Sequence, residues 1–340
     1  MIPLELHERN LRVLLQPIAP LLDQGDVTEI MVNGPRHVYV ERRGKLQRTE
    51  HAFDGPEALM AAVRAVAQYA GRSIGPESPI LEARLPDGSR IEAVLPPAAP
   101  DGPILSIRRF SRTTLSVEQL VAYGSLSAQG ALLLRALVAD RRNVLVAGGT
   151  GSGKTSLLGA LSRYIPESER VVVIEDAREL SLPHEHVVEL EARPADARGR
   201  GEVSVRQLFK TTLRLRPDRI VVGEIRGAEA LDLIQAMTSG HGGCLSTIHA
   251  TSPADALARL ETLTLMSDVA LPLWALRGQI ASAIDAIVQT ERGADGVRRV
   301  NQIVEVGPDE RGYALRTLYQ QGRPRSVACA VPTPRIASES

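Results

Sequence analysis

Residues 143–155 read NVLVAGGTGSGKT, an apolar run that closes on a glycine-rich loop carrying Lys154 and Thr155. The eight residues GGTGSGKT at 148–155 satisfy the spacing GxxxxGK[ST]. NVLVAG before them has the unbroken apolar character of a buried strand, and TSLLGALSRYI (155–165) after them has helical periodicity. Strand, loop and helix in that order are the context that gives the spacing its meaning. Gly148, Gly149, Gly151 and Gly153, with Thr150 and Ser152 between them, let backbone N–H groups turn inward on phosphates with no Cβ in the way. The positive end of the helix dipole adds to that attraction. Lys154 is placed to reach the β- and γ-phosphates, and the Thr155 hydroxyl to ligate Mg²⁺. The loop therefore predicts binding of a nucleoside triphosphate. The NKxD element that reads guanine occurs nowhere in the 340 residues, which points to ATP.

Outward from this loop, helical segments alternate with apolar strands: RVVVIED (170–176), HVVELEA (186–192), RIVVGEI (219–225) and GCLSTIHA (243–250). Strands apolar on both faces and separated by helices predict a mainly parallel sheet covered on two sides. RVNQIVEV and YALRTLYQ are expected to form a hairpin around residues 308–312. The N-terminal part reads differently. VTEIMVNG and HVYVERRGKLQRTE alternate as half-buried strands, PEALMAAVRAVAQYAG (56–71) is helical, and ILEARLPDGSRIEAVLPP is a hairpin turning on Asp87-Gly88. The expected fold is α/β: an N-terminal α+β domain over 1–110, a polar linker over 111–125, a RecA-like phosphate-loop domain over 126–325 and a loose tail over 326–340.

Composition narrows the function classes. Forty basic and forty acidic residues cancel, and aromatics make up only 3%. Neither an electrostatic footprint for nucleic acid nor stacking platforms for single strands are evident, so no direct nucleic-acid partner is expected. Cys244 and Cys329 have no metal-binding spacing and read as reduced core residues, which fits a cytoplasmic protein. No stretch approaches the length of a spanning helix, so membrane contact is expected to be peripheral and through a partner.

Phosphoryl transfer needs a metal-holding carboxylate and a group that orients the attacking water. Glu175 and Asp176 end one core strand and Glu224 ends another. In a parallel sheet the C-terminal strand ends share the edge on which the phosphate loop lies. His249 closes GCLSTIHA on the same edge; a histidine there is ordinarily a satisfied core or turn residue unless its neighbours give it work.

In combination the motifs resemble those of the ATPases of type II and type IV secretion, type IV pili and conjugation. IEDAREL (174–180) is similar to their Asp box, LRPDRIVVGEIRG (215–227) to their Walker B segment and SGHGGCLSTIHA (239–250) to their His box. Within that family LPDGSRIEAVLPP, LSIRRF, RPDRIVVGEIRG and QIASAID look most like the CpaF/TadA-type ATPases of Tad pili. Only residues 1–26 precede VTEIMVNG, fewer than such proteins generally carry, which keeps conjugation and type IV secretion ATPases open.

The resemblance implies roles. Glu175 would polarise the attacking water, Glu224 would hold Mg²⁺ through water, and His249 would sense the γ-phosphate, with His241 a second candidate. Arg90 (in GSRIEA) and Arg108 (in SIRRF) match arginines that close on the phosphates, with Arg109 the alternative to Arg108. It also implies a homo-hexamer working on an inner-membrane platform protein. The basic run RPADARGRGEVSVR (193–206) suits a mobile or solvated connection and carries no expected catalytic role. Two other classes compete: a DNA translocase, disfavoured by charge and aromatic content, and a nucleotide-dependent scaffold that does not turn over.

Overall fold

Burial alternates along the first strands of the chain, and that alternation builds a sheet with one covered face. The computed structural model describes residues 10–42, 44–110, 115–195, 199–310 and 312–322. They form two compact units, the first built mainly from the described residues up to 110 and the second from most of the remainder.

In the first unit, β1 (Val27–Asn33), β2 (Val38–Arg42), β3 (Lys45–Arg48), β4 (Ile80–Arg84), β5 (Arg90–Val94) and β6 (Ile104–Arg108) form an antiparallel sheet in the order β3-β2-β1-β6-β5-β4. Ile30, Val32, Val40, Ile91 and Ile107 point to the core. A short helix, α1 (Ala19–Leu22), and α2 (Pro56–Tyr69) cover that face. Leu59, Ala62, Val63, Val66 and Ala67 of α2 are buried at helical spacing, so one stripe of the helix faces the sheet. The Asp87-Gly88 turn between β4 and β5 has Gly88 at φ +89°, and the Asp87 carboxylate accepts the Ser89 amide at 2.9 Å.

The second unit is an eight-stranded sheet of β7 (Val144–Gly148), β8 (Val171–Glu175), β9 (Val187–Glu191), β10 (Arg219–Val222), β11 (Leu245–His249), β12 (Ala286–Arg292), β13 (Arg298–Gly307) and β14 (Ala314–Gln320). The order is β14-β13-β12-β7-β11-β10-β8-β9, parallel from β12 to β9, with β13 and β14 antiparallel at one edge. Helices α3 (Val117–Ala122), α4 (Ala128–Ala139) and α5 (Lys154–Ser162) pack on one face. Helices α6 (Val205–Thr212), α7 (Glu229–Thr238), α8 (Pro253–Leu265) and α9 (Leu273–Ala283) pack on the other. Strands β7, β8 and β10 are buried along their whole length because both faces carry helices. This is the expected RecA-like architecture of a parallel sheet wrapped on both sides, preceded by a smaller α+β unit.

Two segments differ from the expectation. The stretch read as a polar linker contains α3, closed by a reciprocal cap between Ser116 and Gln119. Its Val117 and Leu120 are buried in the core of the second unit, so residues 117–122 are packed structure. Strand β9 is half-exposed and not apolar throughout, because it is the outer edge strand with a neighbour on one side only. The expected tail lies outside the described residues. Among the described residues no helix is long and apolar enough to cross a membrane.

Candidate active site

The site is organised by β7. Its last residue, Gly148, is in register with His249 at the end of β11 on one side and with Thr290 of β12 on the other. A Cβ on Gly148 would overlap the Thr290 and Ser152 hydroxyls and come within 2.7 Å of the Thr290 carbonyl, so only glycine fits there. The Ser152 hydroxyl lies 2.8 Å from both the Gly149 carbonyl and the Thr290 hydroxyl, tying the loop to β12. Gly151 and Gly153 take positive φ values of +69° and +93°, the left-handed region that an L side chain disfavours. The chain then enters α5 at Lys154.

The Lys154 ammonium is buried and donates to the carbonyls of Gly148 (3.1 Å) and Gly149 (2.9 Å). It also lies 3.4 Å from His249 Nδ1. His249 Nε2 is 3.0 Å from Glu224, whose other oxygen accepts from Arg226 at 2.7 Å. Arg226 reaches on to Asp176 at 3.2 Å. Burial lowers the His249 pKa below the usual histidine value, Glu224 opposes that shift, and Lys154, Arg226 and Arg259 reinforce it. The imidazole is therefore neutral at neutral pH. Lys154 lies 3.5 Å from Nε2 as well, so its ammonium rests over the ring and not on the Nδ1 lone pair, while Nε2–H is placed to donate to Glu224.

Glu175, at the end of β8, is buried and accepts the backbone amides of Glu179 (3.0 Å) and Leu180 (3.1 Å). Burial pushes its pKa up to about 7, against the pull of those two amides and helped by the negative charges of Glu179 and Glu189. Gly223 lies so close that a Cβ there would sit 2.8 Å from Glu175 Cγ. The Glu179 carboxylate approaches the Thr155 hydroxyl at 3.5 Å and so connects the Asp-box segment to the phosphate loop. A carboxylate held near neutrality beside such a loop can exchange a proton with water at working pH.

Among the described residues no cluster of three or more His, Cys, Asp or Glu is arranged to hold a metal. The oxygen donors near the loop, the Thr155 hydroxyl and the carboxylates of Glu179 and Glu224, suit a hard cation such as Mg²⁺, which takes few protein ligands and shares the rest with substrate phosphates and water. The donor set thus fits Mg²⁺.

The remaining candidates are on other elements. His241 precedes β11 at the opposite end of the strand, where its backbone amide bonds the Ala236 carbonyl, and five residues of extended chain separate it from the loop edge. Arg90 and Arg108 sit in the first unit, directly opposite each other across β5 and β6, and Arg90 pairs with Glu82 at 3.3 Å. Arg109 donates to the backbone carbonyls of Gln24 and Val27, a structural task. Two participants were missed. Glu179 was legible as the second glutamate of IEDAREL, four residues from Glu175. Thr290 carried no local signal, because its proximity to Gly148 comes from sheet order.

A phosphate loop on the C-terminal edge of a parallel sheet, with a near-neutral carboxylate and a histidine bound to a strand-end glutamate beside it, defines a phosphate-loop ATPase. Residues 13–304 match the family described as type II/IV secretion system protein, and the chain belongs to that family. It is 39% identical over 311 residues to the type IV secretion system protein PtlH of Bordetella pertussis, covering 84% of this chain and 91% of PtlH. It is 33% identical to the conjugal transfer protein TrbB of Rhizobium radiobacter, covering 90% and 93%. Among solved structures the Legionella pneumophila ATPase DotB superposes with a TM-score of 0.60 over 84% of this chain and 79% of DotB. At 19% identity that likeness speaks to the fold alone.

Proposed function

We propose that this chain is a Mg²⁺-dependent ATPase motor that works as a homo-hexamer, cytoplasmic and peripheral at the inner membrane, on a platform protein of a secretion or pilus machine. The observation that carries the reading is the contact chain Lys154–His249–Glu224 at the end of β7, which joins the phosphate-binding lysine to two other strand ends. A γ-phosphate that draws Lys154 toward itself weakens its contact with the His249 ring, and the change passes to Glu224 and Arg226. That path supplies a physical link between nucleotide state and strand position.

In the proposed mechanism the amides of residues 148–155 and Lys154 bind the phosphates. Glu175 accepts the proton of the attacking water, for which a pKa of about 7 is suited. Mg²⁺, held by the Thr155 hydroxyl and through water by Glu224, would neutralise charge on the β- and γ-oxygens. Arg90 and Arg108 would complete the site by closing on the phosphates, where guanidinium groups stabilise the transferring phosphoryl.

The names of PtlH and TrbB favour type IV secretion or conjugation as the machine served. A second reading, a Tad pilus, rests on the sequence likeness of LPDGSRIEAVLPP and QIASAID. The test is hydrolysis by the purified full chain with and without Mg²⁺, together with its mass in solution in the presence of ATP. Mg²⁺-dependent turnover by a six-subunit particle supports the motor. Turnover stimulated strongly by single-stranded DNA, and lost as salt is raised, would replace it with a translocase. Binding without turnover would leave the scaffold.

A further inference from the structure

The β12–β13 hairpin reaches past the end of β7. Thr290 is in register with Gly148, so the two residues after it carry β12 alongside the phosphate loop. Arg292 and Arg298 face each other across the hairpin and lie at that same end. The turn between them is tight: the Gly293 amide bonds the Val297 carbonyl at 2.9 Å, and the Asp295 carboxylate accepts the Val297 amide at 3.0 Å.

Arg298 touches the loop at two points. Its Nε donates to the Gly151 carbonyl at 2.9 Å. Its aliphatic stem packs where Gly153 has no side chain, with Cδ 3.3 Å from the position a Cβ would take. Arg292 stands beside it, with Nη1 3.6 Å from the corresponding position on Gly151. The neighbouring Arg299 is engaged away from the loop, paired with Asp295 at 2.9 Å.

The consequence follows from peptide geometry. In a trans peptide the carbonyl and the next N–H point in opposite directions. Holding the Gly151 carbonyl outward on Arg298 therefore commits the Ser152 N–H inward, where it faces the Gly149 carbonyl at 3.3 Å. Glycine at 151 and 153 leaves those peptides free to rotate, so the loop needs an external restraint to keep its donors aimed.

We infer that Arg298 is a positioning residue for the phosphate loop: it fixes the orientation of the 151–152 peptide from outside and so preorganises nucleotide binding. The inference rests on the ATPase reading of the same site. No motif in the loop reveals it, because Arg298 lies more than 140 residues away and meets the loop only through the hairpin.

The test uses the full chain, a fluorescent ADP analogue in equilibrium titration, steady-state ATP hydrolysis and the melting temperature without nucleotide. Arg298→Ala is expected to weaken ADP affinity about ten-fold, the loss of one charge-assisted hydrogen bond. KM for ATP should rise by a similar factor, with kcat within about two-fold. Arg298→Lys, which keeps a stem and a donor, should fall between alanine and wild type, and Arg299→Ala should bind as wild type does. A lower melting temperature with unchanged affinity would make Arg298 merely structural and overturn the inference. A fall in kcat at unchanged KM would overturn it too, by placing Arg298 on the transition state. If wild type itself binds no adenine nucleotide, the ATPase reading fails and the inference with it; if wild type binds and Arg298→Ala binds equally well, the inference alone fails.

Discussion

The two ends of the parallel sheet both bury charge, and they use it differently. At the N-terminal end Arg219, with no exposed side-chain surface, pairs with Glu169 and donates to the Val138 carbonyl at 2.9 Å. Beside it Asn143 accepts from the amides of Gly243 (2.9 Å) and Cys244 (3.0 Å) and donates to the Ala283 carbonyl at 2.7 Å. Arg142 and the Asn143 amide close on Asp285 at 3.2 Å and 2.8 Å. These groups are matched donor to acceptor, and they link strands and helices that are far apart in sequence. At the C-terminal end the matching is poorer. Glu175 is held near neutrality, His249 is kept uncharged by burial, and Lys154 leans on the carbonyls of its own loop. Polar groups that satisfy one another stabilise, whereas groups left at odds with their surroundings remain available for chemistry.

That contrast predicts opposite outcomes for mutations at the two ends. Lys154→Ala should reduce hydrolysis on the order of a thousand-fold, with the melting temperature little changed, as read by turnover and calorimetry. Glu175→Gln should cost a similar factor if Glu175 is the general base proposed above, and wild-type kcat should then fall on acidification through about pH 7. Its stability effect has the reverse sign. A folded-state pKa raised from 4.5 to about 7 means that the buried ionised carboxylate destabilises the fold more as pH rises through that window. Glu175→Gln should therefore gain on wild type between pH 5 and pH 8, by up to about 3 kcal/mol. An equal melting temperature at both pH values would mean that Glu175 is ordinary.

Arg219→Ala should do the opposite of Lys154→Ala. It removes the buried partner of Glu169, which keeps Arg141 at 2.9 Å, and empties a fully buried site, so it should destabilise the protein by about 2–3 kcal/mol, while kcat per folded molecule stays at the wild-type value. A drop in specific activity would show that the two ends are not separable. The smallest effect is expected at His249. His249→Ala should lower kcat roughly ten-fold, the scale of one hydrogen bond to a charged group, and change nucleotide affinity less. If only the melting temperature falls, His249 belongs with the packing residues.

Much of this was legible in the sequence because the signals were local. Strands apolar on both faces separated by helices require a parallel sheet, and the strand ends of a parallel sheet share one edge, so Lys154, Glu224 and His249 could be placed together from their positions alone. Local pattern failed where neighbours were set by strand order. Thr290 and Arg298 meet the loop because β12 inserts beside β7, and no periodicity in the chain states that order. The segment 111–125 read as a linker for its polar start, while α3 spans only the six residues Val117–Ala122, too short for periodicity to announce a buried helix. His241 and His249 sit in one motif, yet an extended strand sends them to opposite ends of the sheet.

Gly148 has a further consequence, for synthesis. The loop that follows it is clamped by Thr290, whose hydroxyl bonds the Ala147 carbonyl at 3.0 Å across 143 residues of sequence. On a ribosome the loop emerges long before that partner does, so the nascent chain carries the glycine-rich sequence through 143 further residues of elongation without the clamp that gives it shape. The shape of the loop is thus a property of the closed sheet, complete only when β12 has docked beside β7.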